Sequence, residues 1–222
     1  MRVLRGTKVV DAGVGWRGDA TRVVIDLGTG DGRFPYTLAR RDPHSLYVGI
    51  DPDAGAMAEY AFRASRKPAR GGTANVLFVV ASVEQLPAEL AGTGDLVYAV
   101  FPWGGLLRGL LRGDPAVVDA LAGLAAPGAR FEFVLSYDPE HDTGVASAGE
   151  LPALDSALID DDLAPAYARH GIAIESRRLL SPEEALAIPS TWGRRLLHAR
   201  PRSVYAIEAR RSEPDAGAIL SR

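Results

Sequence analysis

Short apolar runs that end in glycine or proline alternate with stretches of helical period along most of the chain. Residues 23–27 (Val-Val-Ile-Asp-Leu) read as a strand, followed by glycines and a helical pattern to about residue 41. The unit recurs as a strand over 46–50, a helix over 53–66, a strand over 76–80, a turn at Pro87 and a strand over 96–101. A helix over about 115–125, a Pro127-Gly128 breaker and a strand over 130–135 follow. Beyond a loop over 136–152 come a helix around 161–169, a strand over 172–178, a segment over 181–201 and a last strand over 203–209. Such alternation predicts an α/β fold with a mostly parallel, seven-stranded sheet and helices on both faces. Residues 1–20 are expected to form a hairpin extension around the Gly6-Thr7 turn, and the tail beyond Ser212 to fray.

At 222 residues the chain fits one domain over 1–222, with 136–160 and 181–201 as inserted linkers. No stretch approaches the roughly 18 uninterrupted apolar residues that a membrane span needs. A soluble, cytoplasmic and monomeric protein without membrane contact is expected. Cysteine is absent and the four histidines stand singly, so a metal site has little support.

The net charge of −3 conceals a segregation of signs. Residues 138–162 hold Asp138, Glu140, Asp142, Glu150, Asp155, Asp160, Asp161 and Asp162 with no Lys or Arg. Residues 194–202 hold Arg194, Arg195, Arg200 and Arg202 with no acid, and Arg63, Arg66, Lys67 and Arg70 form a second basic group. Either group suits an anionic partner or an ordinary solvated surface.

The first predicted strand runs into Asp26-Leu27-Gly28-Thr29-Gly30-Asp31-Gly32. Glycines at a strand-to-helix turn let backbone N–H groups approach a ligand, as dinucleotides and S-adenosylmethionine both require. The spacing here is G-x-G-x-G rather than the dinucleotide G-x-G-x-x-G, and Asp31 would repel a pyrophosphate. A sulfonium and an ammonium are compatible with Asp26 and Asp31, so S-adenosylmethionine is the expected cofactor and the fold is expected to be Rossmann-like, class I. Asp51, after the second strand, stands where an acid accepts ribose hydroxyls, while Asp53 is free to cap the helix that follows. Ala81, Ser82 and Glu84 follow the third strand, and Glu84 reads equally as an adenine-edge acid or a surface acid.

The fourth strand ends in Phe101-Pro102-Trp103-Gly104-Gly105, at the sheet edge where α/β folds bind ligands. Trp192 lies in Pro189-Ser190-Thr191-Trp192-Gly193 beside arginines. Core packing is the default for a Trp, but both have the flanks of loop aromatics, and exposed aromatics stack on flipped bases.

At these residues the sequence resembles the Kam-type aminoglycoside-resistance methyltransferases, which modify N1 of adenine 1408 in 16S rRNA of the 30S subunit. The shared stretches are 26–36, 67–72 (Lys-Pro-Ala-Arg-Gly-Gly), 101–104 (Phe-Pro-Trp-Gly) and 190–196 (Ser-Thr-Trp-Gly-Arg-Arg-Leu). The resemblance implies that Trp103 and Trp192 sandwich the flipped adenine beside Pro102. It implies that Arg66, Lys67, Arg70, Arg195 and Arg200 hold the rRNA backbone. The cofactor would be held by Asp26, Gly28, Gly30, Asp51, Ala81, Ser82, Glu84 and Thr191. Gly105 stands where the family carries Ser or Thr, so a hydroxyl near the cofactor is missing. Adenine N1 has a lone pair and needs no general base, in keeping with a chain that has no Ser-His-Asp or Cys-His arrangement. The alternatives are a methyltransferase of tRNA or a small molecule, and a noncatalytic RNA-binding relative; cofactor titration by calorimetry separates the last from the others.

Overall fold

The computed structural model describes residues 1–142 and 151–212. The expected fraying beyond Ser212 and the middle of the 136–160 linker lie outside these residues. In chain order the elements are β1 (Arg2–Arg5), β2 (Lys8–Asp11), β3 (Arg22–Leu27), α1 (Arg33–Arg41), β4 (Ser45–Asp51), α2 (Ala54–Ala64) and β5 (Val76–Val80). Then come β6 (Gly94–Val100), α3 (Gly104–Arg112), α4 (Pro115–Leu124), β7 (Ala125–Leu135) and α5 (Ala164–Ala168). The last are β8 (Ile172–Leu179), α6 (Pro182–Ala187), α7 (Thr191–Ala199) and β9 (Tyr205–Arg211).

All nine strands join one sheet in the order β2-β1-β5-β4-β3-β6-β7-β9-β8. Strands β5, β4, β3, β6 and β7 run parallel, whereas β9 is antiparallel to both β7 and β8. The N-terminal hairpin does not stand apart. Its strand β1 pairs antiparallel with β5 through Val3–Val79 and Leu4–Phe78. The sheet is therefore nine-stranded and mixed where seven mostly parallel strands were expected: the buried Val3 and Leu4 of β1 pair with the edge of β5, adding the hairpin's two strands, and β1 and β9 run against the rest.

Side chains alternate across the strands. Val23, Ile25 and Leu27 join Leu107, Leu110 and Leu121 of α3 and α4 in the larger core. Val24 faces the other way, into a layer with Tyr36 of α1 and Met57 and Tyr60 of α2. Phe34 of α1, Ala185 of α6 and Leu196 of α7 extend that second side over Val100 and Val134. Burial on both faces is why these strands read as continuous apolar runs.

Local chemistry sets the boundaries. The Asp53 carboxylate accepts the Ala56 N–H, so α2 begins at Ala54, and it ends at Ala64, short of the expected residue 66. Strand β7 starts at Ala125 and passes through Pro127-Gly128, where a break was expected. A register shift between Gly94–Ala125 and Leu96–Arg130 absorbs the extra residues. Helix α3 was not anticipated, since it opens on two glycines. Segment 181–201 carries α6, closed by a reciprocal Ser181–Glu184 capping box, and α7, capped by Ser190, where only an inserted segment was expected. A π-helical turn over Leu158–Leu163 leads into α5. Among the described residues no helix is long and apolar enough to cross a membrane, and no cluster of acids and histidines could hold a metal.

Candidate active site

The loops after β3, β4, β5 and β6 open on one edge of the sheet, the carboxyl edge of its parallel strands. Gly28, Gly30 and Gly32 all have positive φ (75°, 60° and 79°). The Gly28 and Thr29 N–H groups donate to the Ile50 carbonyl at 2.9 and 3.0 Å, pinning the turn to β4. A Cβ on Gly28 would stand 2.5 Å from Leu106 Cδ2, so the turn also needs glycine to pass beneath α3.

Asp51 closes the turn from the far side. One carboxylate oxygen accepts the Gly30 N–H and the other the Asp53 N–H, each at 2.9 Å. Burial raises its pKa, the Asp53 and Gly30 N–H groups oppose this, and the Asp53 charge adds to the rise. Asp26 sits deeper, 2 % exposed, and its Oδ1 has no hydrogen-bond partner. Burial pushes its carboxyl up to about 7; the Thr29 hydroxyl works against this, and the negative charges of Asp51 and Asp31 reinforce it.

A cavity of about 970 Å³ lies over the turn. Gly28, Gly30 and Asp51 line it, as do Ala81, Ser82 and Glu84 on the side of β5. Trp103, Thr191, Trp192 and Arg195 line the opposite side. Of the expected cofactor set only Asp26 lies beneath the wall rather than in it. Pro102 is likewise buried and does not line the cavity. Sequence reading missed Arg33, Leu106 and Ser190, which line it from α1, α3 and the cap of α7. Ser190 had a signal, a serine just before a helix that went unrecognised.

Five wall carboxylates, Asp31, Asp51, Asp53, Glu59 and Glu84, face the two cations Arg33 and Arg195. This donor set suits a cationic ligand with hydroxyls, which fits S-adenosylmethionine and disfavours a pyrophosphate.

The turn Phe101-Pro102-Trp103-Gly104 links β6 to α3. Phe101 (φ 47°) and Gly104 (φ 60°) both have positive φ, and between them Pro102 fixes its own φ. Trp103, 36 % exposed, is thereby projected toward α7. Its ring meets that of Trp192 at 5.0 Å between centroids and 71° between planes. The two tryptophans, 89 positions apart in sequence, are brought into contact edge to face, not as parallel walls with a gap between them.

Arg66, Lys67 and Arg70 are exposed at the short helical turn after α2, and Arg195 and Arg200 are exposed on and just beyond α7. Helices α1, α2 and α7 pack on the same face of the sheet, and both groups flank that face. None but Arg195 lines the cavity. Arg202 departs from the surface patch expected over 194–202: its side chain is 3 % exposed and pairs with the buried Asp142. The acidic segment is therefore partly neutralised internally, also through Asp160 and Arg177.

A family model described as NpmA, 16S rRNA (adenine(1408)-N(1))-methyltransferase, matches residues 2–211. The chain belongs to this family. A 16S rRNA (adenine(1408)-N(1))-methyltransferase of Streptoalloteichus tenebrarius is 39% identical over 180 residues, covering 81% of this chain and 82% of the relative. One from Escherichia coli is 34% identical over 212 residues, covering 93% and 97%. Among solved structures, a Trp-to-Ala variant of the family enzyme from Catenulisporales acidiphilia with cosubstrate SAM superimposes with a TM-score of 0.88 at 32% identity, covering 97% and 98%. The 16S rRNA methyltransferase KamB gives 0.87 at 35% identity, covering 96% and 100%. The family is thus matched over both cavity walls, from the glycine turn to α7.

Proposed function

We propose that this chain transfers the methyl group of S-adenosylmethionine to N1 of adenine 1408 in 16S rRNA of the 30S subunit, and so confers aminoglycoside resistance. One observation carries the reading: two tryptophans meet at the wall of an acid-lined cavity, on a face edged by exposed arginines. In this reading β3 to β9 form the class I core to which the hairpin is added, and the protein works as a monomeric single domain in the cytoplasm.

Gly28 and Gly30 would hold the cofactor by close backbone approach, Asp51 its ribose hydroxyls, Ala81, Ser82 and Glu84 its adenine edge, and Thr191 its methionine end. Asp26 would favour its positive charge from below. When bound, the cofactor supplies an electrophilic methyl on sulfur, which the N1 lone pair displaces in line without prior loss of a proton. The protein's part is to hold N1 on that line and keep water out, a matter of proximity and orientation. Trp103 and Trp192 stack the extruded base, and the carbonyls beside Pro102 accept from its N6 amino group. Arg66, Lys67, Arg70, Arg195 and Arg200 neutralise rRNA phosphates and set the docking register. Incubating purified 30S subunits with the protein and methyl-labelled cofactor, then mapping the modified nucleotide, tests the assignment. Label at N1 of adenine 1408 is expected; label elsewhere, or none with cofactor bound, rejects it.

A further inference from the structure

Phe101 has φ 47°, the only positive φ at a non-glycine among the described residues. Such a conformation persists only where surroundings over-determine it, and it clusters at functional sites. Here the surroundings are explicit. The Phe101 N–H donates to the Val134 carbonyl at 2.8 Å, Pro102 follows directly, and the ring is 3 % exposed.

That ring lies under the first turn of α7. A Cβ added at Gly193 would stand 2.4 Å from Phe101 Cδ2 and 2.5 Å from Cε2. Gly193 has no positive φ, so its backbone does not call for glycine. It is the third residue of a helix, with its N–H held by Ser190 Oγ at 3.0 Å, a position where alanine gives the better helix. Space for the ring is what requires glycine there.

Phe101 stands two residues before Trp103, and Gly193 directly follows Trp192. We propose that the Phe101 ring seated on Gly193 is the spacer that sets the relative placement of Trp103 and Trp192, in contact as they stand and parted around a base. Both are then positioning residues for methyl transfer, a role that rests on the base-slot reading above. Neither touches the base. The ring is one aromatic thickness of packing between the loop that aims Trp103 and the helix that carries Trp192. A methyl group at position 193 lifts α7 away, and a smaller side chain at 101 lets it settle; either misplaces one wall of the slot.

The experiment compares Gly193→Ala, Phe101→Leu and the double variant in 30S methylation, cofactor calorimetry and circular dichroism. Two indoles in contact give a coupled pair of dichroic bands, and a Trp16→Phe background leaves only Trp103 and Trp192 to produce them. Each single variant should lower kcat by about 10- to 100-fold, the scale of a misplacement near 1 Å. KM for subunits and cofactor affinity should change far less than kcat, since α7 carries only Thr191 of the cofactor set and, with Arg200 just past its end, Arg195 of the docking set, while the other groups stand off it; the indole bands should weaken. The double variant, with a methyl where the ring edge was, should regain activity and bands relative to either single one. Unchanged kcat and bands in Gly193→Ala overturn the proposal. So does a loss that tracks the fall in Tm and is not relieved in the double variant. If Gly193→Ala unfolds, Phe101→Leu alone carries the same test. Full methylation by Trp103→Ala and Trp192→Ala would instead remove the base-slot reading, and the catalytic role of the spacer with it. Altered bands with normal methylation, where the Trp variants are inactive, reject the spacer alone.

Discussion

The rings of Trp103 and Trp192 touch edge to face, with centroids 5.0 Å apart. A base held between two rings needs about 7 Å, twice an ordinary carbon contact of about 3.5 Å. The pair must therefore part and turn to admit adenine. Because Trp192 Nε1 is buried without a partner, little polar bonding opposes the motion. Either Trp→Ala change should lower methylation by about 5- to 150-fold, the equivalent of 1–3 kcal/mol of stacking. Phe should restore part of the loss, and the double Ala variant should be little worse than a single one. Methylation rates set beside subunit-binding curves check this; a parallel loss of binding would assign the tryptophans to docking.

Asp51→Ala removes the acceptor that holds the Gly30 N–H at 2.9 Å, as well as the expected ribose contact. Cofactor affinity should weaken by about 1–3 kcal/mol, as when a hydrogen bond to a charged group is removed. Asp53→Ala, which removes the cap of α2, should instead lower stability by about 1 kcal/mol and weaken the cofactor less than Asp51→Ala, since Asp53 is one wall charge among five and does not hold the glycine turn. Calorimetry and thermal melts on the two variants give opposite patterns if the roles are divided in this way.

Burial holds the Asp26 pKa at about 7, against 3.8 for the free group. Between about pH 4 and 7 the folded chain thus keeps a proton that the unfolded chain releases. Stability falls as pH rises through that window, and the penalty is complete above pH 7. Asp26→Asn has no proton to lose. Its Tm minus that of the wild type should climb from pH 4 to 7 and then level off; a difference independent of pH would show that Asp26 ionises normally.

Charge reversal at Arg195 and Arg200 should abolish subunit binding with the fold intact, because both side chains are exposed. Wild-type binding should weaken steeply with salt, and neutralising any one phosphate-binding arginine should flatten the log–log slope by about 0.9. Arg202→Ala belongs to a different class. It strands the buried Asp142 and should lower stability by about 3–5 kcal/mol. Melting curves separate these arginines before any assay with subunits.

The glycine turn, the place of Asp51 after the second core strand and the alternation of core strands with helices along the chain were legible because each depends on a few neighbouring residues. Helix α3 was hidden by Gly104 and Gly105, whose helix-breaking signal is outweighed by Leu107, Leu110 and Leu111 packing into the core. Arg202 read as one more surface charge, since the partner that buries it lies 60 positions away. The indole contact was equally out of reach: sequence gives two aromatics in loops, but their mutual angle depends on Phe101 and Gly193. Hairpin residues 1–14 were recognisable as a hairpin, while their docking on β5 follows from a free edge that appears only once the sheet is assembled.

That docking also covers an edge that would otherwise be open to other molecules. Strand β5 is Val-Leu-Phe-Val-Val, five apolar residues without a charge or proline, the composition of a self-pairing segment. With β1 on its flank, the outermost rail of the sheet becomes β2, whose Lys8 and Asp11 discourage strand addition by another molecule. A chain lacking residues 1–11 should keep its glycine turn yet stick to copies of itself, and light scattering on warming should reveal aggregation well before the cofactor pocket melts.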